Sequence, residues 1–355
     1  MMKNVFQPGG CPTLIGSLPL GDHQKAAAMV QQYVPELPVW IQLPIYPEEG
    51  MIFQYMPGLP GLTVNEERSY LHTSHENFSD NLLSFYDEYM AVIQGEKDIN
   101  ESRFVLKADT ARGFFALLEK IAESSHRPLA LKGQVTGPLT FATAVKDQAG
   151  RAVFYDEQLR DAAVKLLALK AVWQVKQLSV FGVPVIIFLD EPALAGFGSS
   201  EFISISREDV KNAINEVIES VHSEGGLAGV HVCANTEWDL LTDTDVDIIN
   251  FDAYSYFDRF ILYADAIRAF LKKGNIIAWG IVPTGNPADI EKESPESLAA
   301  KWEEQVQQLT ALGFDRAEIL KQSLITPSCG AGSLSPELAE RVLFLTKEVS
   351  AIIRK

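Results

Sequence analysis

Cysteine is scarce in this 355-residue chain: there are three, Cys11, Cys233 and Cys329. An odd and widely spaced set excludes a disulfide framework and suits a reducing compartment, so a cytoplasmic protein is expected. Positive charge is short as well. Lys and Arg total 30 against 47 Asp and Glu, for a formal net charge of −17, and the pI is near 4.8. Nucleic acid and anionic membrane both require a basic face, so neither is expected as a partner. The excess acid belongs on solvated helix faces. No apolar run approaches the ~18 residues of a membrane span, and mean hydropathy is only +0.03. Residues 1–8 hold no apolar stretch of the kind that drives secretion. Internal repeats, low-complexity tracts and domain linkers are also missing, so residues 1–355 are expected to form one domain.

What the chain does contain is an alternation. Short, nearly continuous apolar runs at residues 13–16, 39–42, 129–132, 185–189, 227–232, 247–251, 276–280 and 323–325 have the length and β-branched character of strands covered on both faces. Between them lie segments of helical period, at 159–180, 210–221, 260–271, 298–312 and 338–352. Ser294-Pro295-Glu296 and Ser335-Pro336-Glu337 put serine at the N-cap, proline at the first helical position and acid in the first turn. Ser206-Arg207-Glu208-Asp209 resembles a capping box with Asp in place of Glu. Eight strands separated by helices fit an α/β fold of the (β/α)8 TIM-barrel class. An open doubly wound sheet is the competing arrangement, but no Gly-x-Gly-x-x-Gly follows any strand. Two stretches interrupt the alternation. Residues 44–76, rich in Pro, Gly, Met and aromatics, read as a long lid loop after strand 2. Residues 77–110 read as an extra N-terminal helical segment ahead of the third strand.

In a barrel, residues just past each strand gather at one mouth. After strand 5 come His231 and Cys233, separated by one residue, so that in an extended chain their side chains leave one face roughly 6–7 Å apart. After strand 8 comes Cys329, in the turn Ser328-Cys329-Gly330-Ala331-Gly332. Singly, His231 reads as a hydrogen-bonded core histidine and Cys233 as a small buried apolar residue. Jointly, at two strand ends, a histidine and two thiols make a site for a borderline-soft cation, and zinc matches best. Asp252, after strand 6, is the candidate for a fourth position, which water or substrate would otherwise take. An open, thiolate-rich zinc suits holding an incoming thiol as a thiolate. Asp190-Glu191, after strand 4, is either a pair at a helix N-terminus or a counter-charge for a substrate ammonium. Gly16 and Ser17, after strand 1, form either a tight turn or a cradle for a carboxylate.

These motifs resemble a known family. Ile15-Gly16-Ser17-Leu18-Pro19, Lys132-Gly133-x-x-Thr136-Gly137-Pro138, Asp190-Glu191-Pro192-Ala193-Leu194, His231-x-Cys233 and Ser328-Cys329-Gly330 stand in the order found in the C-terminal catalytic barrel of cobalamin-independent methionine synthase. The resemblance runs over residues 12–350. The stretches His231-Val232-Cys233-Ala234-Asn235-Thr236 and 247–252 are also similar to the uroporphyrinogen-decarboxylase-like corrinoid:thiol methyltransferases, a branch of the same superfamily of zinc-bearing barrels. The resemblance implies a zinc-dependent methyltransferase whose acceptor is a thiol, homocysteine going to methionine. It implies His231, Cys233 and Cys329 as zinc ligands, with Asp252 where the synthases carry a glutamate. The Ile15-Gly16-Ser17 turn would bind the amino acid carboxylate, and Asp190, with Glu191 beside it, the ammonium. The large N-terminal half of the synthases has no counterpart, nor does their usual segment after strand 7. The donor is therefore expected to be either a methylated folate or a methylcorrinoid carried by a partner protein. The enzymatic alternative is a porphyrinogen decarboxylase, which needs several cations for its substrate's carboxylates. Lys132 is the main one near a strand end. The non-enzymatic alternative is a barrel with a structural zinc that partners a corrinoid protein.

Overall fold

The computed structural model describes residues 6–65, 68–198, 202 and 204–355. Its centre is a curled, wholly parallel sheet of seven strands. In chain order the strands are β1 (Cys11–Pro12), β4 (Leu131–Thr136), β5 (Val185–Asp190), β6 (Leu227–Val232), β7 (Ile248–Phe251), β8 (Ile276–Val282) and β9 (Ser323–Pro327). The two between, β2 (Leu62–Val64) and β3 (Ser69–Leu71), form a separate antiparallel hairpin. Neighbours run β1-β9-β8-β7-β6-β5-β4, so β1 and β4 are the two edges. Residues 38–42 lie between those edges. Lys132 N–H donates to Pro38 O (3.0 Å), Gln42 N–H to Gly16 O (2.7 Å) and Leu18 N–H to Gln42 O (3.1 Å). Single parallel bridges join Val39 to Lys132 and Ser17 to Gln42.

Each strand is apolar on both faces because each is covered on both. In β5, Ile187 and Leu189 face the helices and join the large outer core, while Ile186 and Phe188 turn into the curl with Ile248, Ile276 and Leu324. Phe188 fits because β6 has Gly229 opposite it; a Cβ there would sit 2.4 Å from the ring. The helices obey their caps. Ser294 makes a full capping box at Pro295–Thr310, Ser335 caps Pro336–Ile353, and the Ser206 hydroxyl accepts from Asp209 N–H. The helix expected at 159–180 runs Glu157–Ser179, whereas that expected at 260–271 is broken into Ala253–Phe260, a 3-10 turn and Ala264–Lys272.

Three strand expectations shift. Residues 39–42 make single bridges at Val39 and Gln42 rather than a ladder. The ladder at the start of the chain covers Cys11–Pro12 rather than 13–16. β4 begins two residues later than expected and continues through Thr136, so Lys132-Gly133-Gln134-Val135-Thr136 is strand and not the loop after it. The reason is that the inward positions of β4 are polar, which hides it from an apolar-run criterion. Lys132, Gln134 and Thr136 are nonetheless buried, because each finds a partner across the curl: Ile15 O, Trp40 O and Met51 O respectively.

Residues 44–76 hold two 3-10 turns, Pro47–Glu49 and Phe53–Tyr55, and the β2–β3 hairpin; Glu66 and Glu67 within this stretch lie outside the described residues. The segment is tied down by buried polar groups. Tyr55 donates to Gln134 O (2.8 Å), and the Glu49 carboxylate takes Leu43 N–H (2.9 Å) and His23 Nε2 (2.7 Å). Residues 77–110 contain the helix Phe78–Ile93 and a 3-10 turn at Ile99–Glu101. No helix among the described residues is long and apolar enough to cross a membrane.

Candidate metal centre

The ligand atoms of His231, Cys233 and Cys329 lie within 4.8 Å of one another. Three local features bring them there. His231 is the fifth residue of β6 and points into the curl; Cys233 follows one pleat later, on the same side, just past the strand. Cys329 comes from the end of β9, where Ser328 is pinned by its N–H to Val282 O (2.8 Å) and by its hydroxyl to Thr284 N–H (3.1 Å). Gly280 makes the approach possible. A Cβ there would lie 2.4 Å from Phe251 O and 2.9 Å from the Ser328 Cα, so any side chain would hold β7 and the tail of β9 apart.

The imidazole is oriented by a residue that the sequence reading passed over. Asn250 of β7 donates through Nδ2 to Ala278 O (2.9 Å) and Thr326 Oγ1 (2.8 Å). Its Oδ1 therefore faces His231 Nδ1, with which it is hydrogen-bonded. An acceptor on that side puts the ring proton on Nδ1 and leaves Nε2 with its lone pair. Nε2 is buried and has no hydrogen-bond partner. The visible signal was a carboxamide in the middle of an apolar strand, at an inward position.

The sulfurs supply the complementary charge. The Cys329 thiol, and then the His231 ring, hold Cys233 down to about 4, against the effect of burial. Cys329 is pushed up by the neighbouring Cys233 sulfur and by burial. The two sulfurs are therefore coupled, with Cys233 the more acidic of the two. Burial disfavours the His231 cation, but Cys233 and Asp190 outweigh it and raise the ring's pKa. Two adjacent sulfurs and an aimed imidazole nitrogen are a donor set that fits zinc.

The group opens into a cavity of about 390 Å³ that is also lined by Ile15, Gly16, Ser17 and Asp190. Five expected residues besides the two cysteines therefore meet at one opening, His231 among them. Neither Gly16 N–H nor Ser17 N–H donates to a backbone carbonyl among the described residues. The Ser17 hydroxyl accepts weakly from Gly332 N–H (3.3 Å), and a Cβ at Gly330 would strike it at 2.3 Å, so the glycine-rich turn is packed directly on Ser17. Asp190 pairs in register with His231; its Oδ1 is buried and unpartnered. Burial raises its pKa, opposed by His231 and Lys132.

Two expected residues are placed elsewhere. Glu191 does not line the cavity. It turns behind the strand, where Oε1 accepts Leu139 N–H (2.8 Å) and Oε2 accepts Thr140 N–H (2.9 Å) and Thr140 Oγ1–H (2.7 Å), at the start of the helix Pro138–Ala144. Asp252 lies outside the three-residue ligand group. It is the N-cap of Ala253–Phe260, and its Oδ1 accepts Ser255 N–H at 2.8 Å. That capping bond holds the carboxylate at the helix, where it lines a second cavity, of about 360 Å³, that reaches Cys233 and Cys329 from the other side.

No protein-family model matches the chain, and no curated protein sequence matches it. Among solved structures it is similar to a methyltransferase from Methanosarcina mazei, at 12% identity and a TM-score of 0.48, over 92% of this chain and 84% of that one. It is similar to the same degree to a structure of the GH20 catalytic modules of the pneumococcal exo-β-D-N-acetylglucosaminidase StrH, at 9% identity and a TM-score of 0.47, over 97% of this chain and 85% of that one. Likenesses this distant, to two unrelated chemistries, decide nothing about the reaction, which has to be argued from the residues.

Proposed function

We propose that the protein is a zinc-dependent methyltransferase that methylates a thiol, homocysteine, to give methionine. The observation that carries this reading is the juxtaposition of the His231, Cys233 and Cys329 ligand group with one cavity holding undonated Gly16 and Ser17 N–H groups and the unpartnered Asp190 carboxylate. A small amino acid thiol has the three matching features: sulfur, carboxylate and ammonium. His231, Cys233 and Cys329 would hold the zinc, leaving the fourth position to the acceptor sulfur, with Asp252 kept at its helix cap. Bound there, zinc would supply the positive charge that keeps the acceptor as a thiolate at neutral pH.

The chain's own groups do the rest. Asn250 keeps the His231 lone pair facing the ligand group. Gly16 and Ser17 receive the carboxylate, and Asp190 receives the ammonium. Residues 44–76 act as a lid: Pro44 and Met51 line the cavity and would exclude water from it. In the transfer, the acceptor sulfur forms a bond to the methyl carbon while the donor keeps the electron pair of the bond that breaks. The donor is a methylcorrinoid, delivered by a partner protein, or methyltetrahydrofolate. In this reading residues 38–42 complete an eight-stranded barrel, residues 1–355 work as one domain, and the enzyme acts in the cytoplasm. A porphyrinogen decarboxylase is disfavoured because no Lys or Arg lines this cavity among the described residues, and the Lys132 ammonium is engaged by Ile15 O.

Elemental analysis tests the centre. Protein purified without chelator should carry about one zinc per chain, and Cys233→Ser should lose it. A metal-free wild type would sink the proposal. Methionine formation from homocysteine, with methylcobalamin set against methyltetrahydrofolate, then assigns the donor. Failure of both donors with a zinc-loaded protein would overturn the acceptor.

A further inference from the structure

Lys132 is a lysine with no exposed surface, inside the curl of the sheet, and the transfer step proposed above does not use it. Its ammonium is 2.6 Å from the Ile15 carbonyl oxygen, 117 residues away in sequence, and 4.4 Å from the centre of the Phe188 ring. The bond runs from β4, one edge of the seven-stranded sheet, to the segment leaving β1, the other edge. A buried ammonium is costly unless it is engaged. Burial lowers the Lys132 pKa to about 8, and the Asp190 carboxylate opposes it.

The position of that bond matters. In a trans peptide the carbonyl of one residue and the N–H of the next point in opposite directions within one rigid plane. Holding the Ile15 oxygen therefore fixes the direction of the Gly16 N–H. The next peptide, Gly16–Ser17, is held as well: Gly16 O accepts Gln42 N–H at 2.7 Å, and the Gln134 amide packs close, since a Cβ on Gly16 would lie 3.0 Å from its Nε2. Without Lys132 the Ile15 carbonyl would be left facing the interior without a donor, and the turn would relax to find one.

We infer that Lys132 is a positioning residue for the acceptor's carboxylate, its ammonium aligning the Ile15–Gly16 peptide so that the Gly16 and Ser17 N–H groups face the cavity together. This rests on the amino acid thiol reading of the site. It also gives the interior a continuous order of charge, with the ammonium beneath the turn, the Asp190 carboxylate beside it, and the cavity's substrate groups of opposite sign above each.

Calorimetric titration of the zinc-loaded protein with two thiols tests it. One is L-homocysteine; the other is 3-aminopropane-1-thiol, the same chain without its carboxylate. Wild type should prefer homocysteine by about tenfold or more, the effect of one charge-assisted pair. Lys132→Met, similar in length, should keep its zinc and its affinity for 3-aminopropane-1-thiol but bind both thiols within about threefold of each other. A Lys132→Met protein that keeps zinc and the full preference overturns the inference and leaves the amino acid reading standing. A wild type with no preference overturns both. Should Lys132→Met fail to fold, Lys132→Gln, polar but one bond too short to reach Ile15 O, decides: a reduced preference supports the positioning role and an unchanged one overturns it.

Discussion

Asp190 and Glu191 follow one another at the end of β5, both buried, and their side chains enter two differently built regions. On the mouth side, Asp190 Oδ1, Gln134 Oε1 and His231 Nε2 are buried without a hydrogen-bond partner. On the back side, the two Glu191 oxygens accept three hydrogen bonds from Leu139 and Thr140, and Gly137 is bare because a Cβ there would lie 2.1 Å from the carboxylate carbon. A buried polar group without a partner costs about 1–3 kcal/mol, so a region that accumulates several has a reason other than stability to keep them. The Glu191 side is satisfied as it stands, and the Asp190 side is the one that the proposed acceptor would complete. Of this pair of adjacent carboxylates, one is fully hydrogen-bonded and the other is left with an unpartnered oxygen.

The widest separation between the two regions should appear at Asp190. Asp190→Asn keeps the shape and removes the charge that would meet an ammonium. We expect the KM for homocysteine to rise about a hundredfold, the ~3 kcal/mol of a buried charged hydrogen bond. kcat at saturation should change far less, and the melting temperature should fall, because the buried Lys132 ammonium loses its compensating charge. Steady-state kinetics beside a thermal melt reads both. An unchanged KM would place Asp190 in the scaffold with Glu191 and end the comparison.

Which parts of this were legible in the sequence follows from the same contrast. The apolar strands and the capped helices could be read because periodicity and caps are local. Ser294, Ser335 and Ser206 act as caps where the sequence placed them. The three metal-ligand candidates were legible because cysteine is rare and the histidine stands one pleat from one of the cysteines. What escaped was non-local. β4 was misplaced because its inward residues are polar and find side-chain partners only across the curl, at Ile15, Trp40 and Met51. Glu191 reads like Asp190 in one dimension, and only the helix packed behind β5 separates them. Asp252 sat at the right strand end for a ligand, but the helix that starts at Ala253 turns the Ser255 backbone N–H onto it and makes it a cap. Asn250 orients His231 from the neighbouring strand, and nothing in the spacing of either residue announces the pairing.

Asn250 offers the next, smaller test, since it is the place where satisfied scaffold hands over to the unsatisfied mouth. Its Nδ2 is fully used and its Oδ1 is committed to the imidazole. Asn250→Leu keeps the volume but removes the acceptor that fixes the His231 tautomer. Loss of such a supporting group weakens metal binding by about 10–100-fold. Competition for zinc with a chromogenic chelator should show a loss in that range. An undiminished affinity would mean that the ring is held by packing alone.

The smallest effect, and the one with the most telling sign, belongs to Glu191 and pH. Burial pushes its carboxyl up to about 7, although three donors from Thr140 and Leu139 favour the ionised form. An acid whose folded-state pKa is raised binds its proton more tightly when folded. Its stabilising contribution is therefore complete below the unfolded value, near 4.5, and is lost as pH rises through about 7. Glu191→Gln cannot titrate and also turns an N–H2 toward backbone donors, so it should cost about 1–3 kcal/mol where wild type is protonated. The gap between the two proteins in urea unfolding should be widest near pH 4.5 and should narrow by about 1 kcal/mol or more toward pH 7. Zinc content and homocysteine affinity should stay at the wild-type level, as befits a residue behind the strand. A gap that widened with pH would mean that the three donors outweigh burial and that Glu191 is ionised throughout. The scaffold would then hold a full charge beside Asp190, and the mouth would be more strongly primed for a cation than Asp190 alone makes it.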